Sequence, residues 1–187
     1  MKALSPMALT ASLVLISISF NTVMAAGQGS GVVTLGGEIV DTACALETGS
    51  AFQIIEMDPV PVGRMIREGE GDPHSFSLRL VNCSLSRENP NRPGESLPDW
   101  QHVRVTFEGV SDREGRSFAA FGSSRGVALH ILDELGQESA PGVPMPMVAL
   151  SSSKEQVLHY TLRLVGNDQP MSVGSHSAAV RFRLEYY

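Results

Sequence analysis

Apolar and polar residues alternate along most of this chain. In SFSLRLVN the residues Phe76, Leu78 and Leu80 fall on one side, with Ser77 and Arg79 on the other. HVRVTFEG repeats the pattern with Val103, Val105 and Phe107, GVALHILD with Val127, Leu129 and Ile131, and QVLHYTLRLV with Leu158, Tyr160, Leu162 and Leu164. SAAVRFRLEYY sets Ala178, Val180, Phe182, Leu184 and Tyr186 against Arg181, Arg183 and Glu185. Successive side chains of a strand point to opposite faces, so this period of two predicts half-buried strands. VVTLGGEIVDTACAL reads as a long extended segment and AFQIIEM as a short apolar strand. DELG and GNDQP are turn signals.

Beyond the first residues, no stretch of ten or more keeps apolar positions at helical spacing between caps. The pattern therefore predicts an all-β, two-sheet sandwich. Two long loops carry prolines, one with Pro90, Pro93 and Pro98, the other with Pro141, Pro144 and Pro146, and both read as surface excursions. No internal repeat is present. An immunoglobulin-like sandwich closes with about seven strands, and the strands counted here stop at the sixth major one. The closing strand is thus expected to leave an apolar edge open, an aggregation site unless something covers it. The alternative is a strand covered by an earlier segment of the same chain.

The first residues form a separate region. Lys2 precedes the apolar run ALTASLVLISISF, and Val23-Met24-Ala25 puts small residues where a signal peptidase reads them. Residues 1–25 are expected to be a secretory signal peptide. The run of about 13 apolar residues falls short of the roughly 20 that span a bilayer, and no later segment reaches that length, so no membrane span is expected in the mature chain. The next stretch, AGQGSG, is a flexible lead of small residues for which a disordered tail is the rival reading.

Composition narrows the chemistry. The chain has 187 residues, enough for one packed domain, and a formal charge of −6. With no basic cluster carrying interleaved aromatics, nucleic acid is not expected as a partner. Two cysteines, Cys44 and Cys83, in an exported chain predict one disulfide. It closes a loop of about 40 residues, worth roughly 3 to 4 kcal/mol in the chain-entropy account. The five histidines are scattered singly, so neither a metal nor another cofactor is expected. GSSRG (122–126) fits the G-x-S-x-G pattern with Ser124 central, but that pattern presents a nucleophile only on a strand-to-helix turn. Here it leads into VALHILD, which alternates like a strand, and no paired carboxylates offer a better site; no enzymatic activity is expected.

In order along the chain, these features resemble the pilin subunits of bacterial chaperone-usher fimbriae. The features are GGEIVDTACAL with its cysteine, FSLRLVNC with the second, VRVTFEGV, and a C-terminal segment with Gly174 fourteenth from the end, alternating Val180, Phe182 and Leu184, and penultimate Tyr186. The resemblance spans essentially the whole mature chain. It implies an incomplete immunoglobulin-like sandwich lacking its last strand, residues 36–187, completed by a strand lent from outside; strand lending between chaperone and pilin is a known form of strand addition. Gly174, Val180, Phe182, Leu184, Tyr186 and Tyr187 would then form the acceptor groove and the surface a periplasmic pilus chaperone holds. Residues 26–35 would be the donor segment for a neighbouring pilus subunit, with Gly29, Gly31, Val33 and Leu35 on one parity. An outer-membrane usher is the implied export partner, and the cell-surface fimbrium, reached through the periplasm, the implied destination.

The donor segment departs from the family in being short and poor in large side chains. Together with FQIIEM and HYTLRLVGN, that points to a minor subunit, of the type that terminates or anchors a pilus or else an adaptor. The alternative from another class is a self-complete exported β-sandwich binding a small ligand or glycan.

Overall fold

The computed structural model describes residues 31–37 and 39–187. The expected signal peptide and Gly29 lie outside them.

The alternating segments become the five long strands: β1 (His74–Val81), β2 (His102–Glu108), β3 (Val127–Asp133), β4 (Glu155–Gly166) and β5 (Arg181–Tyr186). In the larger sheet β4 is central, antiparallel to β1 on one side and to β3 on the other. Its register sets Tyr160 opposite Phe76 and Leu164 opposite Leu129. Ala45–Leu46 extends this sheet beyond β1, and Phe118–Ala119 and Glu138–Ser139 pair with β3. In the smaller sheet β2 is central, with β5 on one side and Val148–Ala149 on the other. His176–Ser177 pairs with Phe121–Gly122, and Arg87–Glu88 with Ser96–Leu97.

One core lies between the two sheets. Leu78 and Leu80 of β1 and Val103, Val105 and Phe107 of β2 are at most 2% exposed. Burying an apolar side chain of this size contributes about 1.5 to 3 kcal/mol. Phe107 is the hinge of the packing, its ring 5.0 Å from Tyr160, 6.1 Å from Phe76 and 6.5 Å from Phe182. Cys44 and Cys83 form the expected disulfide, which ties the stretch leading into Ala45–Leu46 to the end of β1.

Three expectations need correction. Among the described residues of VVTLGGEIVDTACAL the paired strand is only Ala45–Leu46, and Ala43 O accepts from Ser84 N–H just before it. AFQIIEM is not a paired strand: Ala51 ends a one-turn helix, α1 (Thr48–Ala51), and Gln53–Pro61 follows outside any sheet or helix. The loop with Pro141, Pro144 and Pro146 is more than a surface excursion, since it runs along β2: Gly142 N–H donates to Phe107 O, Met145 N–H to Val105 O and Leu150 N–H to Gln101 O. The helix α2 (Val62–Glu68) was not anticipated. It starts after Pro61, stops at the left-handed Gly69, whose N–H caps Met65 O, and buries Met65. Seven residues are too few to display a 3.6-residue period.

Candidate functional site

A groove of about 990 Å³ opens between the sheets beside β5. Its floor is core: Phe76 and Leu78 of β1, Phe107 of β2, and Leu129 and Ile131 of β3. One bank is the stretch from Gly174 to Phe182, and the other is Phe52–Pro59, which follows α1.

Both banks carry main-chain groups with no backbone partner among the described residues. Tyr187 and His102 exchange both hydrogen bonds, at 2.9 and 3.0 Å. Antiparallel pairs alternate between bonded and non-bonded, so the β5 register puts Arg181, Arg183 and Glu185 in bonded pairs. The N–H and C=O of Phe182, Leu184 and Tyr186 therefore face away from β2, along an edge with no next strand among the described residues. On the opposite bank, Ile54–Val60 makes no backbone hydrogen bond among the described residues. It is held instead by side chains: Gln53 Nε2 donates to Ser50 O and Ser77 O, and Met57 and Val60 pack on the core. An apolar trough thus lies between two edges without backbone partners among the described residues.

The sequence-derived residues distribute unevenly around it. Val180 and Phe182 line the groove, half-buried, their side chains against the core. Gly174 lines it too, and a Cβ there would sit inside the contact distance of the Ser123 and Ser124 backbone, so only glycine fits. Leu184 and Tyr186 continue the same face but lie past the end of the groove. Tyr186 sits edge-on to Trp100 at 6.1 Å and donates its hydroxyl to Cys44 O at 3.3 Å. Burial pushes its pKa up to about 12. Tyr187 is pinned by its main chain to His102, while its ring faces Arg104 at 4.7 Å. At the other end of the chain Gly31 has no atom within 4 Å of a Cβ position, and Val33 and Leu35 are 85% and 91% exposed.

GSSRG is a turn between strands, as expected. The Ser123 hydroxyl accepts from Ser175 N–H and the Ser124 N–H donates to Ser175 O, bracing Gly174 from across the turn, and β3 follows with no helix. The Phe52–Pro59 bank is the functional element that sequence reasoning misplaced. Its apolar content read as a short strand, but that composition does not say whether a partner strand lies beside it.

Comparison with known proteins agrees with this architecture. The chain is 36% identical over 156 residues to an Escherichia coli PRS fimbrial minor pilin protein, covering 83% of this chain and 77% of that one. It is likewise 36% identical over 150 residues to an E. coli PAP fimbrial minor pilin protein, covering 80% and 74%.

The chain belongs to the chaperone-usher fimbrial pilin family.

Two solved structures share the fold of this pilin. One is the P pilus rod subunit PapA, with TM-score 0.62 and 20% identity over 78% of this chain and all of that one, at 100%. The other comes from a chaperone-usher pilus, with TM-score 0.68 and 24% identity over 86% and 98%. No family model matches the pilin. Among its described residues no helix is long and apolar enough to cross a membrane.

Proposed function

We propose that this pilin is a structural subunit whose sandwich is completed by a strand lent from another protein, laid in the groove between β5 and Phe52–Pro59. The two facing edges without backbone partners, above the apolar floor of Phe76, Leu78, Phe107, Leu129 and Ile131, carry this reading. Main-chain bonds to Phe182 and Leu184 accept any extended donor, and the floor selects apolar side chains at alternate positions. The first lender is a periplasmic pilus chaperone, met after removal of residues 1–25. The second is the N-terminal segment of a neighbouring subunit, arriving at the outer-membrane usher.

Its own donor is residues 26–35, with Gly29, Gly31, Val33 and Leu35 facing the neighbour's groove. The role is that of a minor subunit, terminating, anchoring or adapting the pilus and so supporting adhesion. In support, identity is 36% to the two minor pilins but 28% to a PRS major pilin, and the donor segment is poor in large side chains.

The test is to produce the pilin in the periplasm with and without its pilus chaperone. It is expected to aggregate alone and to be recovered as a one-to-one complex in company. Phe182→Arg, which puts a charge in the groove, is expected to abolish the complex, whereas deletion of residues 26–35 leaves it intact. A monodisperse, cooperatively melting monomer from the unaccompanied wild type would falsify the reading.

A further inference from the structure

The groove's far bank also carries a row of exposed side chains along its rim. Phe52, Ile54, Glu56 and Asp58 occupy alternate positions and are all exposed, while Ile55 and Met57 between them are half-buried. Alternation puts the four opposite half-buried Ile55 and Met57, on the rim of the groove. Phe52 and Ile54 are 89% and 90% exposed. Single exposed apolar residues are ordinary, but two neighbours on one face, continuous with an apolar groove, mark a surface that something covers. Glu56 and Asp58 have no ion-pair partner among the described residues, unlike nearby Glu47, Glu68 and Asp72, each paired with an arginine. Read along the bank, the strip is apolar for two positions and acidic for the next two, spanning roughly 20 Å at the rise of an extended chain.

We propose that this strip docks the folded body of the periplasmic pilus chaperone, through an apolar patch on that partner bordered by lysine or arginine. The proposal rests on the strand-lending reading and adds that the lender is recognised by more than its strand. A bare peptide in the groove turns one face to the floor and the other to solvent, so it leaves Phe52 and Ile54 largely uncovered. A folded lender overhanging the bank covers them, and its basic border meets Glu56 and Asp58. The apolar half then sets how long the complex lasts, and the acidic half how fast it forms and how that rate falls with salt.

The test compares complexes of the periplasmic pilus chaperone with the wild-type pilin, F52S/I54S and E56Q/D58N. Each is challenged with excess of a 15-residue donor peptide carrying valine or isoleucine at alternate positions. The F52S/I54S complex is expected to release the chaperone about tenfold faster than wild type, while its peptide-filled product melts at the wild-type temperature. E56Q/D58N is expected to form its complex several-fold more slowly at low salt and at the wild-type rate at high salt. Both variants change only exposed side chains, so their folding is checked by the melt of the peptide-filled product. Wild-type release and association rates in both variants overturn the strip. So does an equal loss of stability in the peptide-filled product, which assigns Phe52 and Ile54 to the groove. F182R serves as the separate control: an undiminished complex there overturns strand lending itself.

Discussion

The smaller sheet has two edges, and they are finished in opposite ways. On the far side of β2 runs the segment 142–150, which bonds to Phe107, Val105 and Gln101 and presents Pro144 opposite Thr106. The bond from Met145 N–H to Val105 O makes Thr106 and Pro144 a non-bonded pair, so the N–H that Pro144 lacks would have pointed outward. On the near side, β5 has no proline, offers the main chain of Phe182, Leu184 and Tyr186, and borders an apolar trough. One sheet thus carries one edge lined with prolines and one without them. Edges left open by accident are usually blunted with prolines, charges or bulges.

The sharpest way to break that contrast is to close the open edge from within. A strand with valine or isoleucine at alternate positions, appended after Tyr187 through a four-residue turn, folds back antiparallel along β5. Three inward side chains over the floor contribute roughly 5 to 9 kcal/mol before the cost of ordering the strand is subtracted, and the expected sign of the net effect is stabilising. Size-exclusion chromatography should give a monomer without a chaperone, and thermal melting should become cooperative and higher. An equally long strand with serine at the inward positions is expected to give neither. If the apolar strand also leaves the melt unchanged, the groove is not a strand site.

The same contrast appears in what each side contributes to the core. Phe107→Ala removes the ring that meets Phe76, Tyr160 and Phe182, and should cost about 3 to 4 kcal/mol with the groove filled. Val148→Ala on the guarded edge, where Val148 is 39% exposed, should cost less than about 1 kcal/mol. Chemical denaturation of the strand-filled protein measures both. Similar losses would mean that the guarded edge is as much core as the floor.

Much of this was legible in the chain. A strand buried on one face writes period two into its sequence, so Phe76, Leu78 and Leu80, Val103, Val105 and Phe107, and Leu129 and Ile131 were found with their inward faces, and Cys44 and Cys83 as a pair. What was not legible concerns neighbours. FQIIEM has the apolar content of a short strand, and Ile55 and Met57 are half-buried, but nothing in it records whether a strand lies beside it. Leu184 and Tyr186 share the parity of Val180 and Phe182, and parity gives the face without saying where the groove ends. The proline loop had the composition of an excursion, yet the N–H groups of Gly142, Met145 and Leu150 still reach β2.

A smaller effect tests the guard directly. Pro144→Thr restores an outward N–H at the guarded edge while leaving the Met145 bond to Val105 in place. Stability should change by no more than about 1 kcal/mol. The strand-filled protein should nevertheless dimerise detectably in sedimentation velocity at concentrations where the parent is monomeric. Unchanged sedimentation would mean that the bulk of the loop, not the missing donor, protects this edge.

The smallest effect sits where the open edge ends, at Tyr186. Its hydroxyl donates to Cys44 O at 3.3 Å, a long bond, so Tyr186→Phe should cost at most about 1 kcal/mol at neutral pH. The pH dependence is more telling. Burial raises the folded pKa to about 12, whereas an unfolded tyrosine titrates near 10. The unfolded state therefore loses its proton first, and ionisation there draws the equilibrium toward unfolding. The contribution from Tyr186 is fully present below about pH 10 and is lost as pH climbs from 10 toward 12. Tyr160 is raised by burial as well and remains in the variant, so the alkaline decline should become shallower in Tyr186→Phe without vanishing. Denaturant midpoints between pH 8 and pH 12 give the two slopes. Equal slopes would place Tyr186 in water, and the groove would then extend the full length of β5 instead of stopping before Leu184.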